Sequence, residues 1–275
     1  MPAGDFADFR LSPDEKRIVF SRVVSGNQDL WVRDLQRGIT SRLTFDIAQN
    51  NLPIWSPDGL RIVWSSNRSG VYNLYLKSAT GAGAEDVLIK TATATAWATD
   101  WSQDGRFILY EVPGAKRTGE DLWIAPQFGD RKPFPYLQGP FDEQQGVFSP
   151  DGRWIAYVSN ESGHDEVYVQ AFPLSGGKWQ ISNGGGTGPA WRKDGTELFY
   201  LAADRNLMAA PIKAGNTTLE PGSPQPLFPV PLIPAVVLRD EYAPAADGRR
   251  FLVNRLGGEA AAINVVLNWT VGLKK

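Results

Sequence analysis

The chain's single histidine, His164, lies in Ser162-Gly163-His164-Asp165, and it is the one imidazole base that a serine nucleophile here can use. Acyl-transfer hydrolysis needs a nucleophile, a base and an orienting acid in one constellation. No Gly-x-Ser-x-Gly elbow accompanies the histidine, so His164 reads as an exposed loop residue. The run Gly184-Gly185-Gly186-Thr187-Gly188 is glycine-rich but fits no phosphate-cradle pattern, and neither His-Arg-Asp nor Asp-Phe-Gly occurs. Phosphoryl transfer needs a phosphate cradle, a lysine and metal-binding acids, so the run reads as a loop between structural units. There is no cysteine, which excludes thiolate catalysis, cysteine-ligated zinc, iron–sulfur clusters and disulfides. Asp and Glu together number 30. Calcium, an oxygen-seeking ion, is the cofactor such residues can serve, and it belongs to the alternative reading below. No catalytic residue and no metal ligand is assigned.

Composition narrows the partners. Lys plus Arg number 28, so the net charge is −2, and nucleic-acid binding lacks its basic footprint. No apolar run approaches the length of a membrane-spanning helix. The first 25 residues lack a basic segment followed by an apolar one, so no signal peptide is read there.

The elements that must position any site come from a repeat. LSPDEKRIVF, WSPDGLRIVW, WSQDGRFILY, FSPDGRWIAY, WRKDGTELFY and PAADGRRFLV recur, with turn aspartates at Asp14, Asp58, Asp104, Asp151, Asp194 and Asp247. The spacings of 44, 46, 47, 43 and 53 residues match one four-stranded propeller blade each. Asp-Gly between apolar runs is a hairpin turn, because glycine accepts positive φ. After each turn three consecutive positions are apolar: Ile18-Val19-Phe20, Ile62-Val63-Trp64, Ile108-Leu109-Tyr110, Ile155-Ala156-Tyr157, Leu198-Phe199-Tyr200 and Phe251-Leu252-Val253. A strand apolar on both faces must be covered on both faces, as the second strand of a blade is. The fold expected is all-β: a six-bladed propeller of four-stranded antiparallel blades in one domain, 1–275, with inner strands near Phe9, Ile54, Asp100, Val147, Ala190 and Tyr242.

Third strands follow Asp29, Asn73, Asp121, Glu166, Asn206 and Asn264, and weaker fourth strands are read around Leu43, Val87, Gln180 and Leu227. The six residues ahead of the third strands sit at equivalent positions, which points to a repeated structural job such as capping turn amides. Trp55, Trp101, Phe148 and Trp191 likewise read as packing between blades. Only eight residues follow Leu267, so the last blade is expected to be incomplete and the chain to be a piece of a longer one.

The Ser-Pro-Asp-Gly turns, complete at Ser56–Gly59 and Ser149–Gly152, followed by an apolar-aromatic strand, resemble the TolB-like (WD-like) propeller repeats of bacteria. The C-terminal run from Ile263 to Trp269 is similar to propeller domains attached to bacterial serine/threonine kinases. That resemblance implies a sensor or binding domain in a periplasmic or other extracytoplasmic place. The repeats are also similar to those of the propeller that gates prolyl-oligopeptidase-type peptidases, whose catalytic domain is absent here.

Function is expected where the blades differ. Loops leading into the inner strands share one mouth of the channel, here the loop face, and the Asp-Gly hairpins form the opposite, hairpin face. Arg10, Asn51, Trp97, Asp100, Glu143, Gln144, Arg239 and Glu241 break the repeat and carry charge, amide or aromatic groups, as an adaptable binding surface does. The expected protein is a monomeric, non-enzymatic module that binds a protein, peptide or cell-envelope ligand there. The alternative is a metal-dependent, lactonase-like channel hydrolase.

Overall fold

The computed structural model describes residues 6–91, 94–114, 119–215, 217–231, 241–257 and 260–266. They form six antiparallel sheets and no helix. The inner strands are Phe6–Leu11, Asn50–Trp55, Trp97–Trp101, Glu143–Phe148, Gly186–Trp191 and Tyr242–Pro244. Each pairs with its second strand, respectively Arg17–Val24, Arg61–Ser66, Phe107–Pro113, Trp154–Ser159, Glu197–Ala202 and Phe251–Gly257.

Five sheets are complete four-stranded blades, and the sixth holds three strands among the described residues. The expectation of six four-stranded blades is corrected to that extent. The fourth strand of the third blade, Phe134–Leu137, was not read from the sequence. The fifth blade carries an additional short strand, Leu219–Pro221, paired to the far end of its long third strand.

The second strands divide their side chains by parity. Ile62 and Trp64 pack toward the first blade while Val63 packs toward the third. Ile108 and Tyr110 face the second blade and Leu109 the fourth. The same split holds for Ile155, Tyr157 and Ala156, and for Leu198, Tyr200 and Phe199. Six apolar clusters result, each between two neighbouring sheets, and the last joins Phe9, Ile18 and Phe20 to Ala243 and Leu252. The sixth sheet thus packs on the first.

The hairpins are built as their sequences require. Ser56 Oγ donates to Asp58 Oδ1 at 2.5 Å and accepts the Arg61 amide at 2.8 Å. Ser12, Ser102 and Ser149 make the same pair of bonds. The five turn glycines have φ between 64° and 74°. Glu15 takes that position in the first blade with φ 59°, where a side chain is strained. Its carboxylate accepts the Ala246 amide and pairs with Arg250 at 3.1 Å, tying the first hairpin to the last. The departure from glycine is a ring-closing contact.

Three of the residues read as preceding the third strands, Asp29, Asn73 and Glu166, hold the segments that follow the outer strands. Thr44 Oγ1 accepts the Leu30 amide and donates to Asp29; Ser182 Oγ accepts the Val167 amide and donates to Glu166; Asn73 accepts the Thr91 amide.

Ile155 is fully buried, so Ile155→Asp is expected to lose at least about 3 kcal/mol because it buries an unpaired carboxylate. Leu60→Asp, at an exposed turn position, should stay within about 0.5 kcal/mol. Urea unfolding of the two variants checks the contrast.

Candidate functional site

The channel wall is set by irregularities in the inner strands. Pairing to the second strand slips between Asn51 and Ile54, Gln144 and Val147, and Thr187 and Ala190. The bulged residues Leu52, Gln145 and Gly188 have φ of 49°, 55° and 61°, which turns their amides out of their own ladder. The preceding blade takes each amide: Leu52 N donates to Asp8 Oδ2 at 3.2 Å, Gln145 N to Glu111 Oε1 at 2.6 Å, and Gly188 N to Gln145 Oε1 at 2.6 Å. In the third blade the Ala98 amide donates to Ser65 Oγ at 3.1 Å. Gly146 is required by space, since a Cβ there would lie 2.6 Å from Leu109 Cδ2.

Two compartments share the axis. The one toward the loop face is small, about 50 Å³, with Gln145, Gly188, Glu241 and Tyr242 in its wall. The one toward the hairpin face is about 420 Å³, with Trp55, Trp101, Phe148 and Trp191 in its wall. Arg10, Val147 and Ala190 border both and form the waist. Arg10 reaches from the first blade to the third, donating to Thr99 O at 3.2 Å. Asp100 lies beside it and accepts the Phe148 amide at 2.7 Å. Burial pushes the Asp100 carboxyl up to about 6, against the opposing pull of Arg10 and of the Phe148 and Trp101 amides.

The residues singled out from sequence therefore separate. Asp100 lines the hairpin-side compartment, and Arg10 borders both compartments at the waist. Counted along their strands they sit ~10–13 Å below the channel's loop end. Glu241 borders the loop-side compartment and is held in a two-pronged pair by Arg205. Trp97 stands against Tyr72, ring centroids 6.3 Å apart. Asn51 Oδ1 is buried without a hydrogen-bond partner among the described residues. Gln144 Nε2 reaches Asp142 at 3.5 Å. Arg239 lies outside the described residues. His164 is exposed as expected and bonds Glu166 at 2.8 Å. The amides of Gly184 and Gly185 donate to that same carboxylate, so the glycine-rich loop already holds an anion of the protein itself.

Glu143 is 7% exposed. Burial pushes its carboxyl up to about 7, the nearby Asp121, Asp142 and Glu161 add to the rise, and Lys178 opposes it. Among the described residues no group of three or more His, Asp or Glu is placed to hold a metal ion. Glu111, Gln103 and Lys193 were missed. Glu111 had a signal: it is a charge in a second strand that is otherwise apolar at its centre.

Residues 4–125 match the TolB beta propeller domain family. An uncharacterized protein of Agrobacterium fabrum, Atu1656, is 24% identical over 202 residues, covering 69% of this chain and 52% of that protein. The chain thus spans about half the length of that curated relative. Among solved structures, TolB from Acinetobacter baumannii superposes with a TM-score of 0.69 at 15% identity, over 96% of this chain and 61% of that one. An oligogalacturonate lyase in complex with manganese superposes with a TM-score of 0.65 at 13% identity, over 98% and 76%. At these identities the structural likeness is one of fold.

The raised carboxyl of Glu143 gives a pH prediction. The folded chain holds that proton more tightly than the unfolded chain, so this group's contribution makes stability fall as pH rises from about 4.5 through about 7. Glu143→Gln is expected to stabilise the protein at pH 8 by roughly 2 kcal/mol and to change little at pH 4. Thermal midpoints of both proteins across that range check the sign.

Proposed function

We propose that this TolB-like propeller is a non-catalytic recognition module that takes a protein, peptide or envelope ligand at its axial channel, with the three-stranded sheet serving as a sixth blade. The observation that carries this reading is the waist. Arg10 and Asp100, two of the residues that break the repeat, meet at the floor of the wider compartment. The wall around them repeats its indoles and turn prolines from blade to blade and departs from that repeat at Gln103, Phe148, Lys193 and Ala246, and such departures are what recognition of one ligand requires.

A hydrolase built on this channel would draw on its charged groups, and these are engaged with the fold. Asp100 holds the Phe148 amide, Glu111 the Gln145 amide, and Glu241 the Arg205 guanidinium. Binding is the use that leaves those roles intact. An extracytoplasmic location and a larger parent protein belong to the same reading and rest on resemblance.

The test uses the absence of cysteine, which makes single-cysteine labelling clean. Gln103→Cys marks the hairpin mouth, Gln144→Cys the loop mouth, and Gln36→Cys an exposed turn at the periphery. Peptides panned on the unlabelled protein are expected to lose binding when one mouth carries a bulky maleimide, and to keep it when position 36 does. Binding that survives with both mouths blocked would remove the channel from the reading. Stoichiometric calcium or manganese in the purified protein, with esterase or lactonase turnover lost on chelation, would favour the hydrolase.

A further inference from the structure

The hairpin-side compartment has a chemistry of its own. Its volume of about 420 Å³ falls in the range of small-molecule clefts. Three indoles from three blades stand in its wall, and their N–H groups are occupied: Trp55 donates to Arg10 O at 3.0 Å, Trp101 to Gly105 O at 3.1 Å and Trp191 to Val147 O at 3.4 Å. Arg17 and Arg61 already stand over the Trp55 and Trp101 rings, 4.9 and 5.0 Å from their centroids, so what the indoles offer a ligand is the ring edge left facing the compartment.

The carboxylates bordering this space are also engaged. Asp100 sits against Arg10 and the Phe148 amide, and Glu15 is bound to the Ala246 amide and to Arg250. The rim carries one cation in a different condition. Lys193 occupies the turn position that Pro13, Pro57 and Pro150 hold in three other blades, and all four border the compartment. Its ammonium reaches across the mouth to Pro13 O at 3.5 Å and pairs with no carboxylate among the described residues. The mouth therefore presents a positive charge with no carboxylate partner among the described residues above a compartment walled by aromatic rings and floored by Arg10 and Asp100.

We propose that this compartment binds an amphipathic monocarboxylate, its apolar or aromatic body among Trp55, Trp101 and Trp191 and its carboxylate on Lys193. This rests on the reading of the channel as the ligand seat. A free aromatic acid and the C-terminal residue of a peptide share that chemistry. The body displaces water from aromatic surface, and the carboxylate gains a charge-assisted bond to the exposed Lys193 ammonium.

The probes are 3-phenylpropionate, 3-phenylpropionamide, and N-acetyl-Gly-Ala-Phe with a free or amidated C-terminus, titrated by calorimetry into the protein and into its Lys193→Met and Lys16→Met variants. Both acids are expected to bind at least tenfold more tightly than their amides. Lys193→Met should erase that preference without moving the thermal midpoint, while Lys16→Met, on the same face but outside the compartment, should keep it. The peptide acid binding more tightly than phenylpropionate identifies a chain terminus as the source, and the reverse identifies a free acid. Equal binding of acid and amide, or an acid preference that survives Lys193→Met, overturns the proposal. No binding of any probe also overturns it. Mouth-blocking data then separate the two ideas: panned ligands that still need an open mouth leave the channel reading standing.

Discussion

The whole ring depends on one constraint, that every second strand is apolar on both faces and has to be covered twice. In Ile62-Val63-Trp64 the outer two side chains face one neighbour and the middle one faces the other. A lone four-stranded sheet leaves both of those sets in water, and a two-layer packing still leaves one. Stacking blades satisfies both sets, but each added blade presents the same demand again, and the demand ends only when the last sheet meets the first. Phe9, Ile18 and Phe20 against Ala243 and Leu252 supply that meeting in the core, and Glu15 with Arg250 supplies it at the surface. Closure explains why the first-blade turn gives up the glycine that its geometry favours.

The channel inherits its polarity from the same stacking. Inner strands that fan out from an axis cannot keep a regular ladder along their whole length, and the bulges at Leu52, Gln145 and Gly188 relieve the mismatch. Each bulge frees an amide in a buried place, where an unpaired donor costs about as much as a lost hydrogen bond. Asp8, Glu111 and Gln145 meet that demand from the adjacent blade. Buried polar groups near the axis are therefore first of all structural. A ligand can draw on them only through the capacity those amides leave unused.

The fold was legible because the repeat states one structural demand six times, and agreement between copies removes the ambiguity of any one. Strand order, turn glycines and caps ahead of the third strands all follow from it. The fourth strand of the third blade was not legible: Pro133 and Pro135 flank its first residue, and Phe134-Pro135-Tyr136-Leu137 lacks an alternating pattern. The site was half legible. Residue type marked Arg10 and Asp100 as unusual, but depth along a strand depends on where the strand begins. Both lie near the hairpin end of theirs, so residue type alone did not place them along the axis. Lys193 escaped notice because the hairpins were read as copies of one turn.

Asymmetry in this symmetric scaffold arises at the turns. The turns that shape the hairpin mouth have to preserve the Asp side chain, the left-handed residue and the serine or its substitute, because the strand that follows depends on them. The residue before the Asp has no such duty. It is Pro13, Pro57 and Pro150 in three blades but Gln103, Lys193 and Ala246 in the others, and all of these border the wide compartment. Change at this position leaves the barrel intact and alters what the mouth presents. Proline supplies a rigid apolar edge, alanine an opening, glutamine a hydrogen-bonding pair and lysine a charge. A ring that must be uniform in its strands can therefore be particular at its rim, and the physical freedom of that one position is what allows a structural repeat to become a recognition surface.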